Sequence, residues 1–127
     1  MKKLLVVDDE AEICDFLKTF FEERDYDVRT AESGIRALEM IAEDKPHVVL
    51  LDIHMPGMDG LATLKEIKSA YSDIKVVMVT AIETQEKIET AMRHGADNYI
   101  TKPLSLEYLE KDVKEKIDHV IDMQESR

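Results

Sequence analysis

Four short stretches of this chain each end an apolar run on a polar, reactive side chain. LLVVDDE at 4–10, VVLLDIHMPGMDG at 48–60 and VVMVTA at 76–81 share that design, and NYITKP at 98–103 repeats it. A short apolar run bounded by polar or turn residues reads as a buried strand. Near-continuous apolar character, rather than alternation, is expected of parallel strands covered by helices on both faces. All strands of an open parallel sheet point their carboxyl ends to one edge, and ligand sites form there. Asp8, Asp9, Asp52, Thr80 and Lys102 are therefore expected to meet at a single edge.

Between these runs the apolar period becomes helical, so strand-like and helix-like stretches alternate five times, the mark of parallel βαβ units. Strands are expected at 3–8, 27–30, 47–52, 75–80 and 98–101, the second short and polar enough for a sheet edge. Ile13, Phe16, Leu17, Phe20 and Phe21 form an amphipathic stripe at i, i+3, i+4, i+7 and i+8. Ser33 opens a helix carrying Ala37, Leu38 and Ile41, which Pro46 stops. A third helix, with Leu61, Leu64 and Ile67, follows Asp59-Gly60. The fourth covers 84–94 with Ile88, Ala91 and Met92 and ends at Gly95, a left-handed cap. Ser105 caps the last helix, which carries Leu106, Leu109, Val113, Ile117 and Val120.

The 127 residues fit one domain. That domain is expected to span residues 1–120, with 121–127 a tail or the end of an extended last helix. A linker or dimer contact is the alternative for that segment. No apolar stretch approaches the roughly 20 residues of a membrane span, and the apolar part of MKKLLVVDDE is too short for an export signal. Cys14 is the one cysteine, which excludes an internal disulfide or a cysteine-based zinc site and suits a buried thiol in a cytoplasmic protein. A net charge of −11 argues against direct nucleic-acid binding and suits a protein that recruits cations and protein partners.

The candidate site is read residue by residue. Asp8 and Asp9 each suit helix capping, but two adjacent carboxylates exceed what a cap needs. Like charges about 4 Å apart repel by roughly 4 kcal/mol at an effective dielectric of about 20, and a bound cation relieves that repulsion. Oxygen ligands without clustered histidine or cysteine select Mg2+, or Mn2+, over zinc. Asp52 ends the expected central strand, and carboxylates there can act as nucleophiles that form aspartyl phosphates. The Thr80 hydroxyl suits donation to a phosphoryl oxygen, with small Ala81 leaving access. Lys102, aimed at three carboxylates, pairs with them and can hold a phosphate as a point charge. The Lys102–Pro103 bond is a candidate cis peptide.

VVDDE, LLDIHMPGMDG, VTA and YITKP, in this order and spacing, resemble the receiver domain of two-component response regulators over about residues 2–116, including its chemotaxis-type members. The resemblance implies a flavodoxin-like three-layer sandwich, a doubly wound sheet of order 2-1-3-4-5 flanked by five helices. It implies that Asp52 is the phosphoacceptor, fed by a sensor histidine kinase or histidine phosphotransfer protein. Mg2+ would be held by Asp9, Asp52 and the backbone carbonyl of His54, with Asp8 acting through metal-bound water. Thr80 and Tyr99 would be the switch pair that remodels the surface of helix four, strand five and helix five for a downstream protein target or a second copy. His54 and Ile82 occupy positions where the family varies and where phosphoryl lifetime is tuned. His54 either orients water or sits in solvent, and Ile82 is a candidate shield against water.

Two other functions share this chemistry or architecture. A Mg2+-dependent phosphohydrolase with an aspartyl nucleophile commonly has a second acid two residues on, where this chain has His54. A flavin or nucleotide module needs a phosphate-cradling loop after strand one, where Asp8, Asp9 and Glu10 would repel an anion. Within the receiver reading, a stand-alone regulator, monomeric or dimerising on phosphorylation, is expected. The alternative is a receiver portion cut from a longer DNA-binding transcription regulator.

Overall fold

The structure, a computed structural model, describes residues 1–81 and 85–125. Five strands, β1 (Lys2–Val7), β2 (Tyr26–Ala31), β3 (Val48–Asp52), β4 (Lys75–Thr80) and β5 (Asn98–Thr101), form one sheet of order β2-β1-β3-β4-β5. Every pairing is parallel, and the polar second strand is indeed an edge. Helices α1 (Ala11–Glu22), α2 (Gly34–Glu43), α3 (Gly60–Ala70) and α4 (Gln85–Arg93) connect the strands. The last helix, α5, runs over residues 106–125 as an α-helical start, a π-helical turn at Leu109–Val113 and an α-helical remainder at Lys114–Glu125. The result is the doubly wound, three-layer fold expected from the alternating sequence.

The alternation of strand side chains builds two cores. Leu4, Val6, Leu50, Val77, Val79 and Ile100 face α1 and α5, meeting Leu17, Phe20, Phe21, Leu109, Val113 and Ile117. Leu5, Val7, Val49, Leu51, Val76 and Met78 face the other way, onto Ala37, Ile41, Leu64, Ile67, Ile88 and Ala91. Strands covered on both sides have no polar face to show, which explains why β3 and β4 are buried at every residue. Asp59, Ser33 and Ser105 cap α3, α2 and α5 by accepting backbone amides, and Gly95 ends α4 with φ +99°.

Three residues of the expected apolar stripes lie outside the core. Phe16, Met92 and Leu106 are 40%, 43% and 54% exposed. On α1 the sheet covers only the arc holding Cys14, Leu17, Phe20 and Phe21, so Phe16 falls at its margin. On α5 positions 109, 113, 117, 120 and 121 are buried, the first three at four-residue steps. That spacing lags an α-helical turn, and the wider π turn takes up part of the mismatch. Ile121 is buried with this set, so the packed body reaches at least that far. The expected start of helix four at Thr84 lies outside the described residues.

Candidate functional site

The parallel sheet brings the sequence-selected residues Asp8, Asp9, Asp52, Thr80 and Lys102 to its carboxyl edge. Asp8 follows β1, and its amide donates to the Ala31 carbonyl at 3.1 Å, prolonging the β1–β2 pairing. Its carboxylate accepts the Glu10 amide at 2.9 Å. It does not cap α1, where Glu10 is the cap residue and makes no side-chain capping bond. From beneath, the Cys14 thiol donates to the Asp8 carbonyl at 3.3 Å. Burial, and then the Asp8 charge, push that thiol up to about 11, so it is an inert support.

Asp52 closes β3 and is buried with Asp8. One of its oxygens accepts the His54 amide at 3.1 Å, and the other lies 3.4 Å from the Lys102 ammonium. The same ammonium lies 3.4 Å from Asp8. Lys102 reaches this position just beyond β5, where its amide donates to the Thr80 carbonyl at 2.8 Å and the Lys102–Pro103 bond is cis. Carboxylate oxygens of buried Asp8, exposed Asp9 and buried Asp52 all lie within 4.8 Å of one another.

The electrostatics are unbalanced. Among the described residues, three carboxylates against one ammonium leave two negative charges. Burial, and then the Asp8 charge, raise the pKa of Asp52 above the usual carboxylate value, against the pull of Lys102 and the His54 amide. Burial works to lower the Lys102 pKa, yet Asp52 and Asp8 outweigh it and the net shift is upward. A hard divalent cation fits this donor set in charge and in ligand type, since every side-chain ligand is a carboxylate oxygen.

Of the other selected residues, Thr80, Tyr99 and His54 fall among those described. Thr80 ends β4, is buried, and donates its hydroxyl to the Ala81 carbonyl at 3.2 Å. Tyr99 lies half-buried on β5, packed against the core under α4. His54 is exposed, and its Nδ1 lies 3.4 Å from the ammonium of Lys87 on α4. Ile82 lies outside the described residues.

Sequence reasoning passed over Gly60 as a site residue. A β-carbon there would stand 2.1 Å from the Asp52 carbonyl oxygen, so α3 can seat on the end of β3 only through a glycine. The Asp59-Gly60 pair was legible as a helix start, but the approach of a distant backbone was not. It also passed over Lys87 and Lys116, whose partners lie 33 and 17 residues away.

A doubly wound α/β module with an acidic, lysine-bearing pocket at the carboxyl edge of its sheet is thus defined by fold and site together. The response regulator receiver domain family matches residues 4–114, and the chain belongs to that family. Receiver domains are phosphorylatable switches of two-component systems. They generally bind Mg2+ in an acidic pocket and interact with histidine kinases or phosphotransfer proteins and with downstream targets.

Solved structures agree. A CheY-like receiver domain protein from Methanospirillum hungatei is 32% identical with a TM-score of 0.91, the match covering 99% of this chain and 98% of that one. A receiver domain protein from Clostridium thermocellum is 29% identical with a TM-score of 0.90, covering 98% of each. NtrX from Brucella abortus is 32% identical with a TM-score of 0.87 over 98% of this chain, which spans only 29% of that protein. Among the described residues no helix is long and apolar enough to cross a membrane.

Proposed function

We propose that Asp52 is the phosphoacceptor of a Mg2+-dependent receiver switch. The observation that carries this reading is the Lys102 ammonium placed 3.4 Å from both Asp8 and Asp52, beside a third carboxylate. In the proposed reaction, an Asp52 oxygen attacks the phosphorus of a phosphohistidine on a sensor kinase or phosphotransfer protein. The P–N bond breaks, the donor imidazole keeps the electron pair and takes up a proton, and an acyl phosphate forms on Asp52. Lys102 shifts its ion pair from the carboxylates to the phosphoryl oxygens. Mg2+, or Mn2+, held by Asp9, Asp52 and the His54 carbonyl, with Asp8 acting through bound water, would supply charge neutralisation as the phosphoryl group moves. Attack of water on the acyl phosphate returns free Asp52 and inorganic phosphate.

Thr80 then turns its hydroxyl from the Ala81 carbonyl to the phosphoryl group, and Tyr99 moves into the space it leaves. Both residues sit on the β4–β5 side that borders α4 and α5, so the change is read on that surface by a downstream protein. A groove lined by Ile13, Phe16, Pro103 and Leu104 adjoins Lys102, and its apolar character supports docking of the donor protein beside the acceptor.

A second reading concerns the output. The match to NtrX spans 29% of that longer chain, which favours considering this receiver as one portion of a larger regulator. Sedimentation with and without beryllofluoride tests whether activation drives dimerisation, as that reading expects. The acceptor assignment is tested by intact mass after incubation with Mg2+ and acetyl phosphate. One added phosphoryl group is expected, lost in Asp52→Asn and lost on chelation. Labelling that persists in Asp52→Asn overturns it.

A further inference from the structure

Tyr99 is held by contacts that none of the chemistry above uses. It lies on β5, the edge strand opposite β2, where backbone groups on the open side must find partners outside the ladder. Its amide donates to the Asn98 side-chain oxygen at 2.8 Å, and its carbonyl accepts from the Lys116 ammonium at 3.1 Å. The same ammonium stands 5.5 Å from the centre of the Tyr99 ring. Lys116 belongs to α5, on the opposite sheet face from the core against which Tyr99 packs, so its side chain reaches around the edge of the sheet. One cation therefore restrains both the backbone and the aromatic face of a single residue.

We propose that Lys116 is the positioning residue of the Tyr99 switch: by holding the ring from α5 it sets the resting population of the Tyr99 pose. This rests on the reading of Tyr99 as the switch. A cation over an aromatic face at a partly exposed site contributes about 0.5–1 kcal/mol, which is a two- to fivefold bias between ring poses. The consequence is mutual. Whatever displaces the ring also loosens Lys116, which then keeps its bond to the Tyr99 carbonyl, so an acidic group of a docking protein that captures the ammonium shifts Tyr99 in the same direction.

The direct test is NMR of protein carrying 13C-labelled tyrosine rings. The chain has four tyrosines, and Tyr99→Phe assigns the signal. Lys116→Met keeps the aliphatic stem and removes the charge, Lys116→Arg keeps the charge, and Lys111→Met serves as a control on the same helix. In metal-free protein the Tyr99 signal is expected to shift in Lys116→Met, to return towards wild type in Lys116→Arg and to stay in place in Lys111→Met. With Mg2+ and beryllofluoride added, the Lys116→Met signal is expected to reach its activated position at two- to fivefold lower beryllofluoride.

A Tyr99 signal in Lys116→Met that coincides with wild type, with and without beryllofluoride, overturns the proposal. So does an equal shift in Lys116→Met and Lys116→Arg, since loss of packing alone would produce it. A wild-type Tyr99 signal insensitive to beryllofluoride, but shifted in Lys116→Met, keeps the restraint and overturns the switch reading beneath it.

Discussion

Gly60 rests its α-carbon directly on the backbone of Asp52. A β-carbon added at Gly60 would lie 2.1 Å from the Asp52 carbonyl oxygen and 2.6 Å from the Ile53 α-carbon. Both obstacles are main chain, so no change of rotamer removes them. The Gly60 amide also donates to the Ile53 carbonyl at 3.0 Å, which ties the first turn of α3 to the end of β3. Gly60→Ala is expected to cost about 3 kcal/mol, the upper end of overpacking effects. Gly57→Ala is the contrast: its φ is +74°, yet nothing lies within 4 Å of an added β-carbon. The expected cost there is about 1 kcal/mol, from the left-handed backbone alone. Urea unfolding of the two variants measures the difference, and equal costs contradict the seating of α3.

Asp52→Asn is expected to stabilise the metal-free protein by about 1–2 kcal/mol, since it removes a buried charge that faces Asp8 and is only partly balanced by Lys102. The pH dependence follows from the upward shift of Asp52. A carboxyl whose folded pKa is raised binds its proton more tightly in the folded state. Its contribution is therefore most favourable below the ordinary value of 3.8 and is lost as pH rises through the folded value. The advantage of Asp52→Asn should be full near neutrality and fade in acid. Thermal melts across pH check this, and an advantage that grows towards acid contradicts it.

The strand framework was legible because burial on both faces leaves an unusual mark, a run such as VVLLD with no polar alternation. From that mark and the shared direction of parallel strands, the meeting of Asp8, Asp52 and Lys102 follows without any further information. The helix stripes were legible only in part. Period alone assigned Phe16, Met92 and Leu106 to the core, but how wide an arc the sheet covers depends on packing between elements distant in sequence. The same limit hid Gly60, Lys87 and Lys116, each of which matters through a partner on another element. Asp8 shows the opposite case: capping was a fair local reading, yet the carboxylate accepts the Glu10 amide without capping the helix.

At the other end of the sheet, His47 stitches β1 to β3 and β4. Its Nδ1 accepts the Lys3 amide at 3.0 Å, its own amide donates to the Lys3 carbonyl, and its carbonyl accepts the Lys75 amide. Burial, and then the charges of Lys2, Lys3 and the N-terminus, hold its pKa below the ordinary 6.5. A histidine depressed in this way is more readily protonated in the unfolded chain, so stability falls as pH drops below about 6.5. The loss is bounded by the hydrogen bond that a proton on Nδ1 would break, about 1 kcal/mol net. His47→Asn should flatten the stability profile between about pH 7.5 and about pH 5.5. Urea midpoints at the two pH values decide, and parallel profiles for the two proteins contradict the assignment.

Among the described residues Lys102 is the one cation paired with both Asp8 and Asp52, so its removal should leave two buried carboxylates facing each other. Breaking a buried ion pair from one side costs about 3–5 kcal/mol when the remaining charge has no relief. Lys102 is partly exposed, which places the expected cost of Lys102→Met nearer about 2 kcal/mol. Two independent routes should restore that loss. Adding Asp52→Asn removes one of the opposed charges, so the double variant should be more stable than the sum of the single effects predicts, with a coupling of about 1–2 kcal/mol. Adding Mg2+ should raise stability in Lys102→Met more than in wild type, because a divalent cation takes over the neutralisation that the ammonium supplied. Denaturant unfolding of wild type, both single variants and the double variant, each with and without Mg2+, completes the cycle. Strict additivity, together with an equal Mg2+ effect in all four proteins, would mean that Lys102 does not balance the acidic pocket and acts there only through packing.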